Sequence, residues 1–269
     1  MDDGERFRAR YGPTALVAGA AVGLGAEWSR QLARRGLDVV LVDRDARACK
    51  TTARAVAAEA GVEALPVVLD LGRDDLAAAL TPALAGRQIG LVVYNAAIGT
   101  VSRFLDLTPA HMQAMLDVNC RGAMLLVHAL APSMVARGRG GIVLMSSMSG
   151  SFGSEQLAVY AATKAFLLVF GEALWAELRP HGVDVLVVQP GSTRTPGWQS
   201  SQPAEQRGPG PHVMEPGPVV SEALEALGGA PHLVPGAENR EGARFLASLP
   251  RRQAVELMSR LTRELLPNR

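Results

Sequence analysis

The segment YAATK places a tyrosine and a lysine where they can share a proton-transfer step. Tyr160 and Lys164 are four residues apart, so on a helix their side chains lie on one face. A phenol with its ordinary pKa of about 10 is a poor base at neutral pH, but a nearby ammonium favours the phenolate. The pair indicates acid/base chemistry, although an exposed polar pair on a helix is the alternative. Lysine is informative here because Lys50 and Lys164 are the two lysines among 27 basic residues.

Two serines follow IVLM, an apolar run typical of a buried strand. Ligands bind at the carboxyl ends of strands in parallel sheets, so a hydroxyl at this point can donate to a substrate oxygen. Ser147 precedes Tyr160 by 13 residues, and Ser146 and Ser149 are alternatives.

A glycine-rich segment, AGAAVGLG, joins the first apolar run to the helical pattern AEWSRQLARRG. Glycines at 19, 23 and 25 allow a tight turn and let a pyrophosphate approach the amides of a helix N-terminus, where the helix dipole favours anions. An ordinary strand-to-helix turn is the alternative, since such motifs also occur without a nucleotide.

The second apolar run ends in an acid beside a base, Asp43 and Arg44. Asp43 comes 18 residues after Gly25, where an acid that binds ribose hydroxyls is expected. Arg44 is where a base could bind a ribose phosphate instead, so spacing alone leaves both cofactors open. A carboxylate at 43 would repel a phosphate at close range, whereas Arg44 can turn to solvent or pair with Asp45. We therefore expect NAD to be favoured over NADP.

The candidate residues need a scaffold that brings them together. Short runs of Val, Ile and Leu alternate with helical patterns from Thr14 to Pro190, without the polar alternation of a sheet that has one wet face. The pattern predicts an α/β fold in one domain over residues 1–269: a Rossmann-like, doubly wound parallel β-sheet with helices on both faces. The expected strands are Thr14–Ala18, Asp38–Val42, Ala64–Leu69, Leu91–Tyr94, Gly141–Met145 and Val183–Gln189.

The C-terminal part has a different composition. Residues 192–217 are rich in Pro, Gly and Ser, and we expect a long loop that covers the substrate. A short helix near Val219–Leu227, an extended HLVP segment and a final amphipathic helix at 251–266 should follow. That helix is basic enough to lie on a membrane, but packing against the domain or a second subunit is favoured because the net charge is near zero.

Composition disfavours several classes of protein. The formal charge is +1, from 27 basic and 26 acidic residues, so nothing in the charge recruits nucleic acid. Cys49 and Cys120 lack CxxC spacing and the opening segment is charged, which favours a cytoplasmic protein. The stretch AFLLVFGEALW is too short for a membrane span and contains Glu172. The five histidines lack the spacing of metal ligands, so no metal is expected.

The GxxxGxG spacing of the turn resembles the short-chain dehydrogenase/reductase family, classical type. DL at 70–71, NAA at 95–97, VNCRG, the double serine, YAATK and PGSTRT at 190–195 resemble the same family, and together they cover nearly the whole chain. The resemblance implies hydride transfer between a nicotinamide and a carbonyl or secondary alcohol.

The resemblance also implies roles for individual residues. Tyr160 would be the general acid/base, Lys164 would lower its pKa and bind the nicotinamide ribose, and Ser147 would donate to the substrate oxygen. Asn119 would hold Lys164 through a water and complete a proton relay. The implied cofactor-binding residues are Gly19, Ala21, Gly23, Leu24, Gly25, Asp43, Arg44, Asp70, Leu71, Asn95, Ala96, Ala97, Tyr160, Lys164, Pro190, Gly191, Thr193 and Thr195.

Three residues depart from the family pattern. Ala18 replaces a threonine, which should loosen the packing of the turn on the neighbouring loop. Tyr94 replaces an asparagine and Ala97 a glycine, which should shift the adenosine-side pocket slightly without loss of binding. A methyl group at 97 is tolerated only if its φ is negative.

The expected partner is a small hydrophobic ketone or alcohol, contacted by Ser147, Phe152, Leu157, Trp198 and Met214. The tail GAENREGARFLASLPRR resembles the branch with long-chain ketoacyl and hydroxysteroid enzymes, and the family resemblance implies a homodimer or homotetramer. Two other classes stay open: a dinucleotide-binding or regulatory protein without turnover, and a subunit that serves only in assembly.

Overall fold

The computed structural model describes residues 3–201 and 213–265. Helices and strands alternate over most of this length, as the apolar pattern predicts. In chain order they are α1 Asp3–Tyr11, β1 Thr14–Ala18, α2 Gly23–Arg34, β2 Asp38–Asp43, α3 Ala46–Ala60, β3 Ala64–Val68, α4 Leu76–Leu84, β4 Ile89–Tyr94, α5 Pro109–Leu116, α6 Gly122–Arg137, β5 Gly140–Met145, α7 Ala158–Leu178, β6 Val183–Val188, α8 Pro196–Ser201, α9 Pro216–Ala226, β7 His232–Leu233, α10 Ala237–Ser248 and α11 Arg251–Leu265.

The strands form one parallel sheet in the order β3-β2-β1-β4-β5-β6-β7. This confirms the predicted doubly wound sheet, and the six predicted strands agree with the observed ones to within two residues. The order changes direction between β1 and β4, which is the switch point where ligands bind in such sheets.

Apolar side chains on both faces of the sheet explain why the strands lack polar alternation. Ala15 and Val17 of β1 enter one core with residues of α2, α3 and α9. Leu16 and Ala18 enter the other with residues of α4, α6 and α7. The edge strand β3 differs, since its residues are half-buried or exposed.

Local capping signals also behave as expected. Thr108 accepts a hydrogen bond from the His111 amide at the start of α5, and Pro109 is the first helical residue. Gly61 ends α3 in the left-handed conformation with φ of 69°.

Three helices are not anticipated by the sequence patterns. The charged helix α1 is held by Asp184, which accepts from Arg10 Nε at 2.9 Å and from Tyr11 Oη at 2.8 Å. The second unanticipated helix is α10. The third, α8, lies inside the predicted 192–217 loop. Thr195 caps its start, since the Thr195 hydroxyl accepts from the Trp198 amide at 3.1 Å. Residues 202–212 of that loop lie outside the described residues.

Candidate active site

The glycine-rich turn closes tightly at the switch point. Gly19 has φ of +78°, and a Cβ there would lie 2.6 Å from the Cα of Ala96 in the loop after β4. Asn95 joins the two segments, donating from Nδ2 to the Gly19 carbonyl at 2.8 Å and from its amide to Ala18 at 2.9 Å. Asn95 therefore holds the turn against this loop, while the loosening expected from Ala18 stays a prediction.

The N-terminus of α2 leaves amide donors at the turn. Val22 at the N-cap offers no side-chain hydrogen bond, and the first turn of α2 has no acidic residue. Gly23 has φ of +57°, and a Cβ there would be 3.0 Å from Thr195. Ala21 and Gly25 are buried, and Leu24 packs against the core. Uncapped amides under a glycine backbone fit the pyrophosphate of a dinucleotide.

Asp43 faces this turn. Its carboxylate accepts from the Ala21 amide at 2.9 Å and from the Asp45 amide at 3.0 Å, whereas Arg44 is exposed. Asp43 is the last residue of β2, so its position is fixed by the sheet.

The loops after β3 and β4 contain the next predicted contacts. Asp70 is exposed and accepts from the Gly72 amide at 2.9 Å, while Leu71 is buried. Ala97 lacks a positive φ, so its methyl group meets the condition that the sequence set.

Tyr94 points away from the expected adenosine pocket. It is fully buried in the core that contains α4, α6 and α7, and its hydroxyl donates to the Val118 carbonyl at 2.6 Å. The expected shift of the adenosine-side pocket stays a prediction. It occupies the space that a side chain at Gly122 would need.

The serines at the end of β5 have different partners. Ser146 is buried and donates to the Lys164 carbonyl at 2.7 Å, which makes it a structural contact. Ser147 accepts from the Ser149 hydroxyl at 3.0 Å, and its side chain is close enough to Tyr160 to lower the pKa of that phenol. The geometry favours Ser147 among the three candidates.

Tyr160 and Lys164 lie together near the start of α7, with Nζ 5.6 Å from the centre of the phenol ring. Lys164 is buried and Nζ donates to the Met145 carbonyl at 2.7 Å. Burial lowers the pKa of Lys164 to about 8. Burial also raises the pKa of Tyr160 to about 12, against a lowering effect from Ser147. Desolvation of the phenolate dominates in this arrangement, and the lowering of the Tyr160 pKa by Lys164 stays a prediction.

Asn119 lies in a π-helical turn, Asp117–Arg121, between α5 and α6. Its side chain is buried, accepts from the Ile98 amide at 2.7 Å and donates to the Ile98 carbonyl at 3.0 Å and to Thr163 Oγ1 at 3.0 Å. Thr163 in turn donates to the Tyr160 carbonyl at 2.8 Å. Asn119 thus ties the loop after β4 to α7, while its water-mediated link to Lys164 stays a prediction. Sequence reasoning missed Thr163 and Ile98, although Thr163 lies within YAATK.

The segment after β6 closes the site from the other side. The Pro190 carbonyl accepts from the Met148 amide at 3.1 Å. Gly191 packs against Asn239, and Thr193 is buried and pairs with Met214. These contacts, together with that of Thr195 to Gly23, bring the β6 segment beside the loop that follows Ser147 and beside the glycine-rich turn.

The predicted substrate residues are divided between two regions. Phe152 packs under the Arg251 guanidinium at 4.7 Å, and Leu157 immediately precedes α7. Trp198 is half-buried on α8. Met214 packs against the core, and its sulfur lies 3.3 Å from Asn239 Nδ2. Met214 therefore supports the β6 segment rather than the loop between Ser147 and α7.

Comparison with known proteins decides the family. Residues 13–206 match the family model described as short chain dehydrogenase. The chain belongs to the short-chain dehydrogenase/reductase family.

Two characterised relatives indicate the range of this family's members. A 7beta-hydroxysteroid dehydrogenase of Clostridium sardiniense is 29% identical over 255 residues, which are 95% of this chain and 97% of the relative. A very-long-chain 3-oxoacyl-CoA reductase of Podospora anserina is 33% identical over 184 residues, 66% of this chain and 54% of that protein.

Solved short-chain dehydrogenases have the same fold. A 7beta-hydroxysteroid dehydrogenase structure superposes with a TM-score of 0.86 at 28% identity, covering 94% of this chain and 98% of that one. A short-chain dehydrogenase of Sphingobium yanoikuyae in complex with NADPH gives 0.75 at 31% identity, covering 88% and 96%. A 3-oxoacyl-[acyl-carrier protein] reductase of Brucella melitensis with bound NAD gives 0.72 at 27%, covering 86% and 92%. This short-chain dehydrogenase is an NAD(P)-dependent oxidoreductase of carbonyl and alcohol groups.

Two further features bear on other classes of site. Within residues 3–201 and 213–265, no group of three or more His, Cys, Asp or Glu side chains is placed to hold a metal ion.

Helical stretches Pro109–Arg137 and Ala158–His181 are long and apolar enough to cross a membrane. AFLLVFGEALW belongs to a helix of 21 residues, so the expectation that it is too short is wrong. Both stretches contribute to the core of the domain, as apolar helices of α/β folds commonly do.

Proposed function

We propose that this enzyme interconverts a bulky hydrophobic ketone and its secondary alcohol, with Tyr160 as general acid/base and NAD as the favoured cofactor. The observation that carries the catalytic assignment is the cluster of Tyr160, Ser147 and the buried Lys164 at the carboxyl end of β5. A hydroxyl pair beside one buried cation fits the charge that develops on a carbonyl oxygen.

In the reducing direction, Tyr160 donates its phenolic proton to the substrate oxygen while Ser147 donates a hydrogen bond to the same oxygen. The nicotinamide, when bound, supplies the hydride that the carbonyl carbon accepts. Lys164 stabilises the phenolate left on Tyr160, and Asn119 keeps the loop at Ile98 against α7. In the oxidising direction, the same phenolate takes the alcohol proton.

The preference for NAD rests on Asp43. Its carboxylate is held at the glycine-rich turn by the Ala21 amide, where a ribose phosphate would meet a like charge. Arg44 is exposed, and solved relatives bind either NADPH or NAD. We expect Asp43→Ala to reduce the ratio of kcat/KM for NAD to that for NADP by at least tenfold, measured with one alcohol substrate. Arg44→Ala is the matched control. A wild-type enzyme that prefers NADP would contradict the assignment.

The proposed substrate class rests on the apolar side chains between Ser147 and Tyr160 and on the names of the relatives. Phe152 and Leu157 flank the residues before Tyr160, and Trp198 follows the β6 segment. The relatives named above are a hydroxysteroid dehydrogenase and a very-long-chain 3-oxoacyl-CoA reductase. A screen of steroid ketones, long-chain 3-oxoacyl thioesters and small cyclic ketones, followed by nicotinamide absorbance, tests the class. Turnover of small ketones alone would count against a bulky substrate.

The test of the catalytic assignment is Tyr160→Phe. Removal of the acid/base hydroxyl should reduce kcat by about 10² to 10⁴ while cofactor affinity stays within twofold. Tyr11→Phe is the matched control, because Tyr11 bonds Asp184 beside the N-terminal helix and lies outside the site. Near wild-type turnover by Tyr160→Phe would refute the assignment.

The assembly and location that we propose are a homodimer or homotetramer in the cytoplasm. Val169 of α7 and Met124 of α6 are 66% and 39% exposed, which leaves apolar surface on the outer helices. Both cysteines are buried and free, as expected in a reducing compartment. Light scattering coupled to gel filtration measures the assembly, and a monomer at micromolar concentration would contradict it.

A further inference from the structure

The C-terminal helix α11 contacts one loop at successive turns. This loop, residues 151–156, joins the catalytic serine to α7 and is called the serine loop below. Arg251 of α11 donates to the Ser151 carbonyl at 2.9 Å and covers the Phe152 ring. Further along the helix, Ser259 accepts from the Glu155 amide at 3.1 Å. The helix residues that contact the serine loop are 251, 258, 259, 262 and 263, a spacing that places them on one helical face.

The contact at Ser154 is buried. Its hydroxyl lies 2.6 Å from Thr262 Oγ1 and 3.2 Å from the Met258 carbonyl, and the exposed fractions of Ser154 and Thr262 are 7% and 5%. A serine hydroxyl has one proton, so when Ser154 donates to Met258, the Thr262 hydroxyl must donate to Ser154. Ser154 also reaches the Glu155 carbonyl of its own loop at 3.3 Å, so the contacts that depend on α11 are those with Thr262 and Met258.

The serine loop ends in a strained residue. Gln156 has φ of 65°, the positive value that non-glycine residues rarely adopt, and it is buried. Its carbonyl accepts from the Ser102 amide at 2.9 Å, which joins the serine loop to the loop after β4. Leu157 and then Tyr160 follow within one turn of α7. Such a conformation persists only where surrounding contacts hold it, and the contacts to Ser154 and Glu155 come from α11.

We propose that α11 is a specificity element of this enzyme and that Thr262 is a positioning residue acting through Ser154. Through this contact, α11 fixes the serine loop and thereby the apolar side chains Phe152 and Leu157 that meet a bulky ketone. A small ketone makes few of these contacts, so its turnover depends on Tyr160 and Ser147 alone. The proposal rests on the proposed function for its substrate.

The experiment compares Thr262→Val with Thr262→Ser. Valine keeps the shape and removes the hydroxyl, while serine keeps the hydroxyl. We expect Thr262→Val to raise KM for a steroid ketone about five- to tenfold, the ratio that one hydrogen bond supports. Its kcat with cyclohexanone and its affinity for NADH should stay within twofold, and Thr262→Ser should restore KM for the steroid ketone. Arg252→Ala is the control on the outer face of α11, where Arg252 pairs with Glu256 and is 88% exposed.

Amide hydrogen exchange provides a second measurement that needs no substrate. Thr262→Val should speed exchange in residues 151–157 at least fivefold and leave residues 14–25 unchanged. If the wild type reduces none of the ketones, the proposed function fails, while faster exchange confined to 151–157 still supports the positioning role. The proposal would be overturned if every variant changed KM for the steroid ketone and for cyclohexanone by the same factor and left amide exchange in residues 151–157 unchanged. Loss of NADH binding together with exchange changes throughout the chain would also overturn it, since the role would then be general stability.

Discussion

Replacing the buried lysine with methionine should make this enzyme more stable while removing its activity. Lys164 is 2% exposed, and burial lowers its pKa from 10.5 to about 8. At pH 7 the lysine is charged in both the folded and the unfolded chain, so the folded chain carries the charge at a free-energy cost of about 3 kcal/mol. Methionine has a similar length and no charge, so Lys164→Met removes this cost.

The lost hydrogen bond offsets part of the gain. Lys164 Nζ donates to the Met145 carbonyl at 2.7 Å, and such a bond contributes about 1 kcal/mol. The net expectation is that the free energy of unfolding rises by about 2 kcal/mol at pH 7. Turnover should fall below detection, because the variant has no cation near Tyr160.

The pH dependence distinguishes this cause from better packing. A lysine whose pKa is lowered by folding makes the wild type more stable as pH rises through the window from about 8 to 10.5. At pH 9.5 most of the charge is gone from the folded wild type, so the advantage of Lys164→Met should shrink by about 2 kcal/mol, to near zero. Urea unfolding at both pH values and one fixed protein concentration measures the difference. Lys50→Met, at the exposed lysine of α3, is the matched control and should change stability by less than about 0.5 kcal/mol. An advantage that is equal at both pH values, or a variant less stable at pH 7, would refute the reasoning.

Two other substitutions test the cofactor turn and the N-terminal helix. Gly19→Ala should weaken NADH binding at least tenfold in a fluorescence titration, because its methyl group would meet the Ala96 backbone at 2.6 Å. Gly61→Ala is the control, since Gly61 has φ of 69° and nothing within 4 Å, and it should leave NADH binding unchanged. Equal affinities in both variants would contradict the tight-turn account. Asp184→Asn should lower the free energy of unfolding by about 2 kcal/mol in urea, because it weakens the bonds from Arg10 and Tyr11, and an unchanged midpoint would show that α1 is held by packing alone.

The sheet could be predicted because its strands carry a continuous apolar signal. Strands β1 and β4 are buried at every residue and β2 at all but its two end residues, so the apolar run is visible in the sequence. Helices α1 and α10 lack such a signal. Helix α1 owes its position to Asp184, which is 174 residues away from Arg10, and contacts at that separation leave no local pattern.

The candidate catalytic residues could be located by type and spacing, but their hydrogen-bond partners could not. Tyr160 and Lys164 share a helical turn, which the chain itself dictates. The acceptor of Lys164, the Met145 carbonyl, is a backbone atom on another strand and has no sequence signature. Asn119 lies in a π-helical turn and contacts Thr163, a geometry that residue types alone do not reveal. The raised pKa of Tyr160 likewise follows from burial, which spacing does not reveal.

The two halves of the site differ in how they are built, and this explains why the chemistry is easier to infer than the substrate. The cofactor half consists of backbone turns at the ends of adjacent strands, where Gly19, Asp43 and Asn95 are fixed by the sheet and by contacts with one another. Few residue types fit such positions, so the motif can be recognised in the sequence. The proposed substrate half includes the serine loop, and we infer that its conformation depends on hydrogen bonds from α11, about a hundred residues later in the chain. Many sequences can supply those bonds, and each can hold the loop differently. Substrate range can therefore change through residues such as Thr262 while the catalytic motif stays the same.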